Sequence, residues 1–316
     1  MCGFAGFISK AFSSYNSEQI VRKMCDTIKH RGPDSFGEWL DKENGFVLGH
    51  RRLAVLDLSL MGHQPMISSS ERFVIAFNGE IYNHMALRLE LEKIKSISWL
   101  GQSDTETLLV AIEQWGLKKT LKKAKGMFAI ALWDNQNKKL SLARDRIGEK
   151  PLYYGWVNNQ FVFGSELKAI KKFPKFNSSI DRNALALFLR FNSIPAPYSI
   201  YNNIYKLEPG QIITLDTYTN ELQKKVYWST EEIYNKGKAS QFIGTPKDAV
   251  DQLETILSKA VCSQMISDVP LGAFLSGGID SSTIVALMQA KTDQKVNTIS
   301  LGFNNKDYNE LEHARM

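Results

Sequence analysis

The chain opens MCGFAGFIS (residues 1–9), a stretch with both a structural and a chemical reading. Gly3 to Ser9 is small and apolar, the composition of a buried first strand. Before it stands Cys2, which becomes N-terminal once Met1 is removed. A free α-amine and a thiol then share one residue. Their unperturbed pKa values lie near 8 and near 8.5, so the amine can serve as base for the sulfur. Such a nucleophile requires a processed N-terminus held in a pocket. A cysteine after the initiator also arises by chance, so Cys2 alone decides nothing.

Outward from this strand, ERFVIAFNGEIYN (71–83), GMFAIALWD (126–134) and KLSLARD (139–145) are strand-like, bounded by Gly, Asn and Asp. GWVNNQFVFGS (155–165) has the pattern of a hairpin with Asn158-Asn159 at its tip. Helical spacing appears over Gln19–Ile28 and Thr105–Trp115, where Leu108, Leu109, Ile112 and Trp115 share one face. Strands and helices do not alternate strictly, so a layered α+β domain is expected over residues 2–215. Residues 216–244 are polar and weakly periodic and are expected to be a connector.

A different pattern begins at Thr245. Thr245 suits a helix N-cap, Pro246 the first helical position and Asp248 the positive helix start, with Val250, Leu253, Leu257 and Val261 on one apolar face. DVPLGAFLSGGIDSSTIVALMQA (268–290) then gives an apolar strand, a glycine turn and a helix, and NTISLGF (297–303) a second strand. This order opens an α/β parallel-sheet nucleotide-binding domain over residues 245–316. In Ser276-Gly277-Gly278-Ile279-Asp280-Ser281-Ser282, glycines let backbone N–H groups approach an anion at a helix start. Ser276, Ser281 and Ser282 add hydroxyls, and Asp280 is a candidate ligand for magnesium bound to phosphates. The alternative is a plain turn with a helix cap. Seventy-odd residues are few for such a domain, typical domains exceeding about 100; with NELEHARM (309–316) ending in mid-pattern, a fragment of a longer chain is expected.

Composition sets the bounds. The chain has 316 residues, 43% hydrophobic and 23% charged, ordinary for about two globular domains. The longest apolar stretches, such as Met127–Trp133, are too short to span a bilayer, and the N-terminus lacks the basic start and apolar run of a secretory signal. Cys2, Cys25 and Cys262 are scattered without a CxxC pair, which argues against a disulfide framework or structural zinc and suits a reducing cytoplasm. Net charge is +6, but the lysines of KKTLKKAK (118–125) read as a solvated helix face, with no aromatic platform beside them; no nucleic-acid partner is expected.

MCGFAGF, KHRGPD (29–34), GHRRLAVLD (49–57), FNGEIYNH (77–84), SDTE (103–106), GMFAIALWD, RDRIGEKPLYY (144–154) and SGGIDSS occur in one order. That set closely resembles the glutamine-dependent asparagine synthetases, across essentially the whole chain. The resemblance implies a class II glutamine amidotransferase domain with the four-layer αββα sandwich of the N-terminal nucleophile hydrolases. It also implies the beginning of an ATP pyrophosphatase-type synthetase domain. Cys2 would attack the glutamine side-chain amide, form a glutamyl thioester and release ammonia. Asn78 and Gly79 would form the oxyanion hole. Arg52 would clamp the α-carboxylate, while Arg51 should point elsewhere, since strand side chains alternate. Asp104 would hold the ammonium, and Leu53, Ala54, Val55, Leu56 and Glu80 would complete the glutamine site. Leu275 and Leu301 would contact adenine, although simple strand core is an alternative for both. Ser276 to Ser282, with Asp280 and magnesium, would hold the ATP phosphates. ATP would then activate aspartate, and tunnelled ammonia would convert it to asparagine, AMP and pyrophosphate. Arg31, Pro33, Arg144 and Asp145 are expected to fix turns and ion pairs. A homodimer is in keeping with the resemblance. Glutaminase activity alone, or amidation of a different carboxylate, are the alternatives.

Overall fold

A computed structural model describes residues 1–305 and 309–315; the chain divides into two compact units, Met1–Asn235 and Lys236–Met316. The strands of the first unit are β1 (Gly3–Ile8), β2 (Ser35–Asp41), β3 (Phe46–Arg52), β4 (Met66–Ile67), β5 (Phe73–Ile81), β6 (Gly126–Asp134), β7 (Lys139–Arg144), β8 (Tyr153–Val157), β9 (Gln160–Gly164), β10 (Ile204–Lys206), β11 (Gln211–Asp216) and β12 (Leu222–Val226). Its helices are α1 (Ser14–Asp26), α2 (His84–Glu92), α3 (Asp104–Trp115), α4 (Leu117–Lys123), α5 (Leu167–Ile170) and α6 (Arg182–Phe191). Helix α7 (Thr230–Ala239) carries the chain into the second unit.

Two six-stranded antiparallel sheets form, in the orders β10-β8-β9-β1-β3-β2 and β12-β11-β7-β6-β5-β4. Each has two apolar faces, and the packing follows from them. Phe4, Phe46, Leu48 and Phe163 of the first sheet meet Val74, Ala76, Ala129, Trp133 and Leu142 of the second in one core. Phe46 stacks on Trp133 across this layer, with ring centroids 4.4 Å apart. The outer face of the first sheet, through Ala5, Phe7, Val47 and Val162, packs on Val21 and Met24 of α1, on Ile28 just after it, and on Ala169 and Ile170 of α5. The outer face of the second, through Ile75, Phe77, Phe128 and Ile130, packs on α2, α3 and α4 by Leu87, Leu108, Ile112 and Leu121. Helix, sheet, sheet, helix is the expected αββα sandwich, and the strands and helices read from the sequence fall within it.

The expected connector is a correction. Leu222–Val226 pairs with β11 at the end of the second sheet, and Tyr227 is buried with its hydroxyl donating to Arg144 O at 2.9 Å. An edge strand bears polar residues, here Gln223, Lys224 and Lys225, and so has the composition of a connector.

In the second unit, α8 (Pro246–Ser263) starts from the expected Thr245 cap: Thr245 Oγ1 accepts from Asp248 N at 3.2 Å, and Asp248 Oδ2 accepts from Thr245 N at 2.9 Å. Of its predicted apolar face only Val261 is buried; Val250 and Leu253 are exposed. Strands β13 (Gly272–Phe274) and β14 (Asn297–Ile299) pair in parallel, joined through α9 (Ile279–Gln289). A last helix, α10, covers Leu311–Arg315 within NELEHARM; Met316 lies outside the described residues. No helix among the described residues is long and apolar enough to cross a membrane.

Candidate active site

Every second residue of a strand faces the same side. Facing the layer between the sheets, β3 reads Phe46, Leu48, His50, Arg52 and β5 reads Val74, Ala76, Asn78, Glu80, while Phe4 of β1 is preceded in phase by Cys2. Each series turns from apolar to polar at the same end of the sandwich. There a cavity of about 200 Å³ opens, lined by Cys2, Arg52, Leu53, Val55, Leu56, Asn78, Gly79, Glu80 and Asp104.

Cys2 is held by backbone on both sides. Its Sγ accepts from Leu53 N at 3.3 Å and lies 3.5 Å from Leu53 O. Its carbonyl accepts from Arg31 Nε at 3.0 Å, and Arg31 is steadied by an ion pair with Glu166, also at 3.0 Å. Burial pushes the thiol pKa up and pushes that of the N-terminal amine, which here belongs to Met1, down. Arg52 is buried, its guanidinium donating to Ser59 O at 3.0 Å and to Asp57 O. Arg51 lies on the opposite face of β3, as alternation requires, stacked on Phe36 and paired with Asp26.

The cavity side of β5 is a strand edge whose backbone groups are taken up one by one. Strand β4 covers it only opposite Val74 and Ile75. At Phe77, side chains replace the missing strand: the N–H donates to Gln64 Oε1 at 2.7 Å and the carbonyl accepts from His50 Nε2 at 3.1 Å. At Ile81 the N–H donates to Asp104 Oδ2 at 2.8 Å. Gly79 lies between. Opposite it, Phe128 gives both its N–H and its carbonyl to Asp145 on the far side of β6, so the N–H of Gly79 faces the edge, which at this point is the cavity. A side chain at Gly79 would collide with the backbone of Met127 and Phe128.

Asn78 is fully buried, and both polar atoms of its amide find no hydrogen-bond partner among the described residues. An amide in that condition is costly unless something else uses it. Asp104 is the first residue of α3, after the Ser103 cap, whose Oγ accepts from Glu106 N at 3.2 Å. Burial, with Glu80 as a lesser contributor, raises its carboxyl to a pKa of about 7, against the Ile81 hydrogen bond.

Ala54 is not among the residues that line the cavity; its N–H donates to Asp34 Oδ2 at 2.8 Å, closing the turn after β3. Arg144 and Asp145 have the expected structural roles. Arg144 donates to the carbonyls of Lys150, Leu207 and Gly148 at 2.7, 2.7 and 2.5 Å. Residues missed in the sequence also line the cavity, among them Gln64, Thr105 and Lys150. Lys150 is buried, its Nζ 3.4 Å from Met1 Sδ, and burial lowers its pKa. It lies within RDRIGEKPLYY, where nothing in the pattern separates it from its structural neighbours.

In the second unit, Leu275 follows β13 and leads into the glycine turn, and Gly277 has φ +81°, where a side chain would be strained. Ser276 Oγ and Ser281 Oγ are 2.9 Å apart, Gly278 N donates to Ser276 Oγ at 3.3 Å, and Asp280 stands in the first turn of α9, followed by Ser282. Leu275 is half-buried and Leu301 exposed, so neither is strand core.

Residues 1–228 match the glutamine amidotransferase domain family and residues 252–316 the asparagine synthase family. Glutamine-hydrolysing asparagine synthetase 1 of Bacillus subtilis is 35% identical, covering all of this chain and 48% of its own length. A protein of Methanocaldococcus jannaschii is 37% identical over 338 residues, covering all of this chain and 62% of its own length. The chain thus spans about half to three-fifths of these relatives. Among solved structures, glutamine phosphoribosylpyrophosphate amidotransferase from B. subtilis superposes with a TM-score of 0.52 at 18% identity, over 96% of this chain and 67% of that one. This likeness is one of fold.

Proposed function

Since the chain belongs to the glutamine amidotransferase domain family, we propose that its first unit hydrolyses the side-chain amide of glutamine with Cys2 as nucleophile. Removal of Met1 would leave the α-amine on Cys2 itself. The sulfur adds to the amide carbon while its proton passes to that amine, and the carbonyl oxygen becomes an oxyanion received by Asn78 Nδ2 and the Gly79 N–H. The proton then goes to the leaving nitrogen, ammonia departs and a glutamyl thioester remains. Water, deprotonated by the same amine, cleaves the thioester to glutamate and restores the thiol. Arg52 pairs with the substrate α-carboxylate and Asp104 with its ammonium, charges that suit the two ends of an amino acid. The observation that carries this reading is Asn78: a fully buried amide without a partner, beside Cys2, supports an oxyanion donor kept for substrate.

For the whole protein we propose an ATP-dependent ligase in a reducing cytoplasm, amidating aspartate to asparagine and releasing AMP and pyrophosphate. Support comes from the family match over residues 252–316 and from the Ser276–Ser282 turn at the start of α9. One carboxylate, serine hydroxyls and backbone N–H groups suit ATP whose magnesium is bound chiefly by phosphates. Among the described residues no group of three His, Cys, Asp or Glu could hold a metal unaided. Asp280 would hold that ion, which neutralises phosphate charge when bound.

The test is glutamate release from glutamine by the Met1-processed chain, with Cys2→Ala as control and with or without ATP, magnesium and aspartate. Turnover lost in Cys2→Ala by at least about 10³-fold is expected for loss of a nucleophile. No turnover in a folded, processed sample would overturn the glutaminase reading. Asparagine formation would support the ligase reading; AMP formation driven only by another carboxylate would replace aspartate with that acceptor.

A further inference from the structure

Asn78 has a weakness as an oxyanion donor: among the described residues no hydrogen bond aims its side-chain amide. Its direction must come from the backbone, and the backbone just before it lies on a strand edge that β4 has stopped covering. β4 pairs with Val74 and Ile75 and reaches no further. An uncovered edge in a sheet is the part of the ladder freest to shift.

At that point both backbone groups of Phe77 are gripped by side chains from separate parts of the chain. His50 comes from β3, in the other sheet, and donates to the carbonyl across the inter-sheet layer at 3.1 Å. Gln64 comes from the loop before β4 and accepts from the N–H at 2.7 Å. Gln64 also donates through Nε2 to Thr105 Oγ1 at 3.2 Å, next in sequence to Asp104. Both gripping residues are buried, His50 completely. Donation from Nε2 fixes the neutral tautomer, and Nδ1 has no partner among the described residues. A polar ring with one hydrogen bond and one unused nitrogen is poor core material, since a leucine of similar bulk would cost less to bury.

We infer that His50 and Gln64 are positioning residues which, by clamping the two backbone groups of Phe77, hold Asn78 and Gly79 where the oxyanion forms. This rests on the glutaminase reading above. Among the described hydrogen bonds the clamp makes none to Arg52 or to the carboxylate of Asp104, so it governs the chemical step rather than the grip on substrate. Interactions made only in the transition state appear in kcat, and those made equally in the ground state appear in KM.

The experiment is steady-state glutamine hydrolysis by the full, Met1-processed chain as wild type, His50→Leu, His50→Gln, Gln64→Leu and Cys2→Ala, with thermal melts of each. Glutamine at position 50 can bring its own Nε2 close to the place of the imidazole nitrogen, while leucine cannot donate. The expected result is kcat lower by about 10–100-fold in His50→Leu and Gln64→Leu, the scale of a misplaced donor and less than the about 10²–10³-fold of a donor removed outright. KM should stay within about threefold, and His50→Gln should recover most of kcat. Unchanged kcat in the leucine variants overturns the proposal, as does a loss shared by KM that His50→Gln does not relieve, the mark of simple packing. If His50→Leu does not fold, Gln64→Leu decides by the same criterion. Absence of Cys2-dependent turnover in the wild type would instead remove the glutaminase reading, and this proposal with it.

Discussion

Asp104 carries opposed demands. To hold an ammonium it must be ionised, yet burial favours its neutral form and raises its pKa to about 7. A carboxyl whose pKa is higher folded than unfolded binds more protons in the folded state. The stability that Asp104 contributes therefore falls as pH rises from about 4 to about 7 and is level above that. Asp104→Asn keeps an acceptor for the Ile81 N–H but carries no charge. It should be more stable than wild type by about 2–4 kcal/mol at pH 8, since each tenfold change in proton affinity is worth about 1.4 kcal/mol, and the gap should close toward pH 4. Urea melts across that range check this. The same variant should lose glutamine binding, and in the wild type KM should rise as pH drops below about 7. Cys2, Arg52, Asn78, Gly79 and Asp104 could all be singled out in the sequence because each stands in a distinctive short segment. His50 was within reach, being two residues before Arg52 on an alternating strand. Gln64 was not, because a loop of no fixed period brings it to Phe77.

Among elements, the join of β7 to the following loop shows how far one side chain can organise backbone. The Asp145 carboxylate accepts from Phe128 N at 3.1 Å, Gly148 N at 2.6 Å, Glu149 N at 2.8 Å and Lys150 N at 2.9 Å. Each oxygen takes two donors. Asp145→Asn replaces one oxygen with an NH2 group, which faces two N–H donors it cannot satisfy. The expected loss is about 2–4 kcal/mol in urea unfolding at neutral pH, with no change in which residues line the cavity. A loss below about 0.5 kcal/mol, the range of ordinary surface substitutions, would contradict this account. The longer apolar strands and α3 were legible because their hydrophobic periodicity agrees with their burial. β12 was not, because a sheet edge satisfies the same polar composition as a connector.

For the molecule as a whole, every residue of the proposed glutaminase site lies within the first unit, and the sandwich closes its three apolar layers there. Residues 1–239, which keep α7 intact, should therefore fold alone and hydrolyse glutamine with kcat/KM within about fivefold of the full chain, a difference of about 1 kcal/mol. A fragment that folds but loses turnover would show that the site needs residues beyond Ala239. The second unit was legible in its order, strand, glycine turn, helix, strand. Its burial was not, because Val250, Leu253 and Leu301 have the spacing of core residues yet are exposed here; hydrophobic period tells which residues share a face, not what covers it.

The edge of β5 also acts as a ruler. Gly79 offers its N–H to the cavity, and Asp104 is pinned to the N–H of Ile81, one full pleat further on, roughly 7 Å along the strand. On the proposed reading, the point where the amide reacts and the point where the ammonium is anchored are set apart by backbone spacing, which no side-chain rotamer can shorten. Asparagine, one methylene shorter than glutamine, could occupy either end of that interval but not both, so on the same reading the site takes glutamine and passes over asparagine.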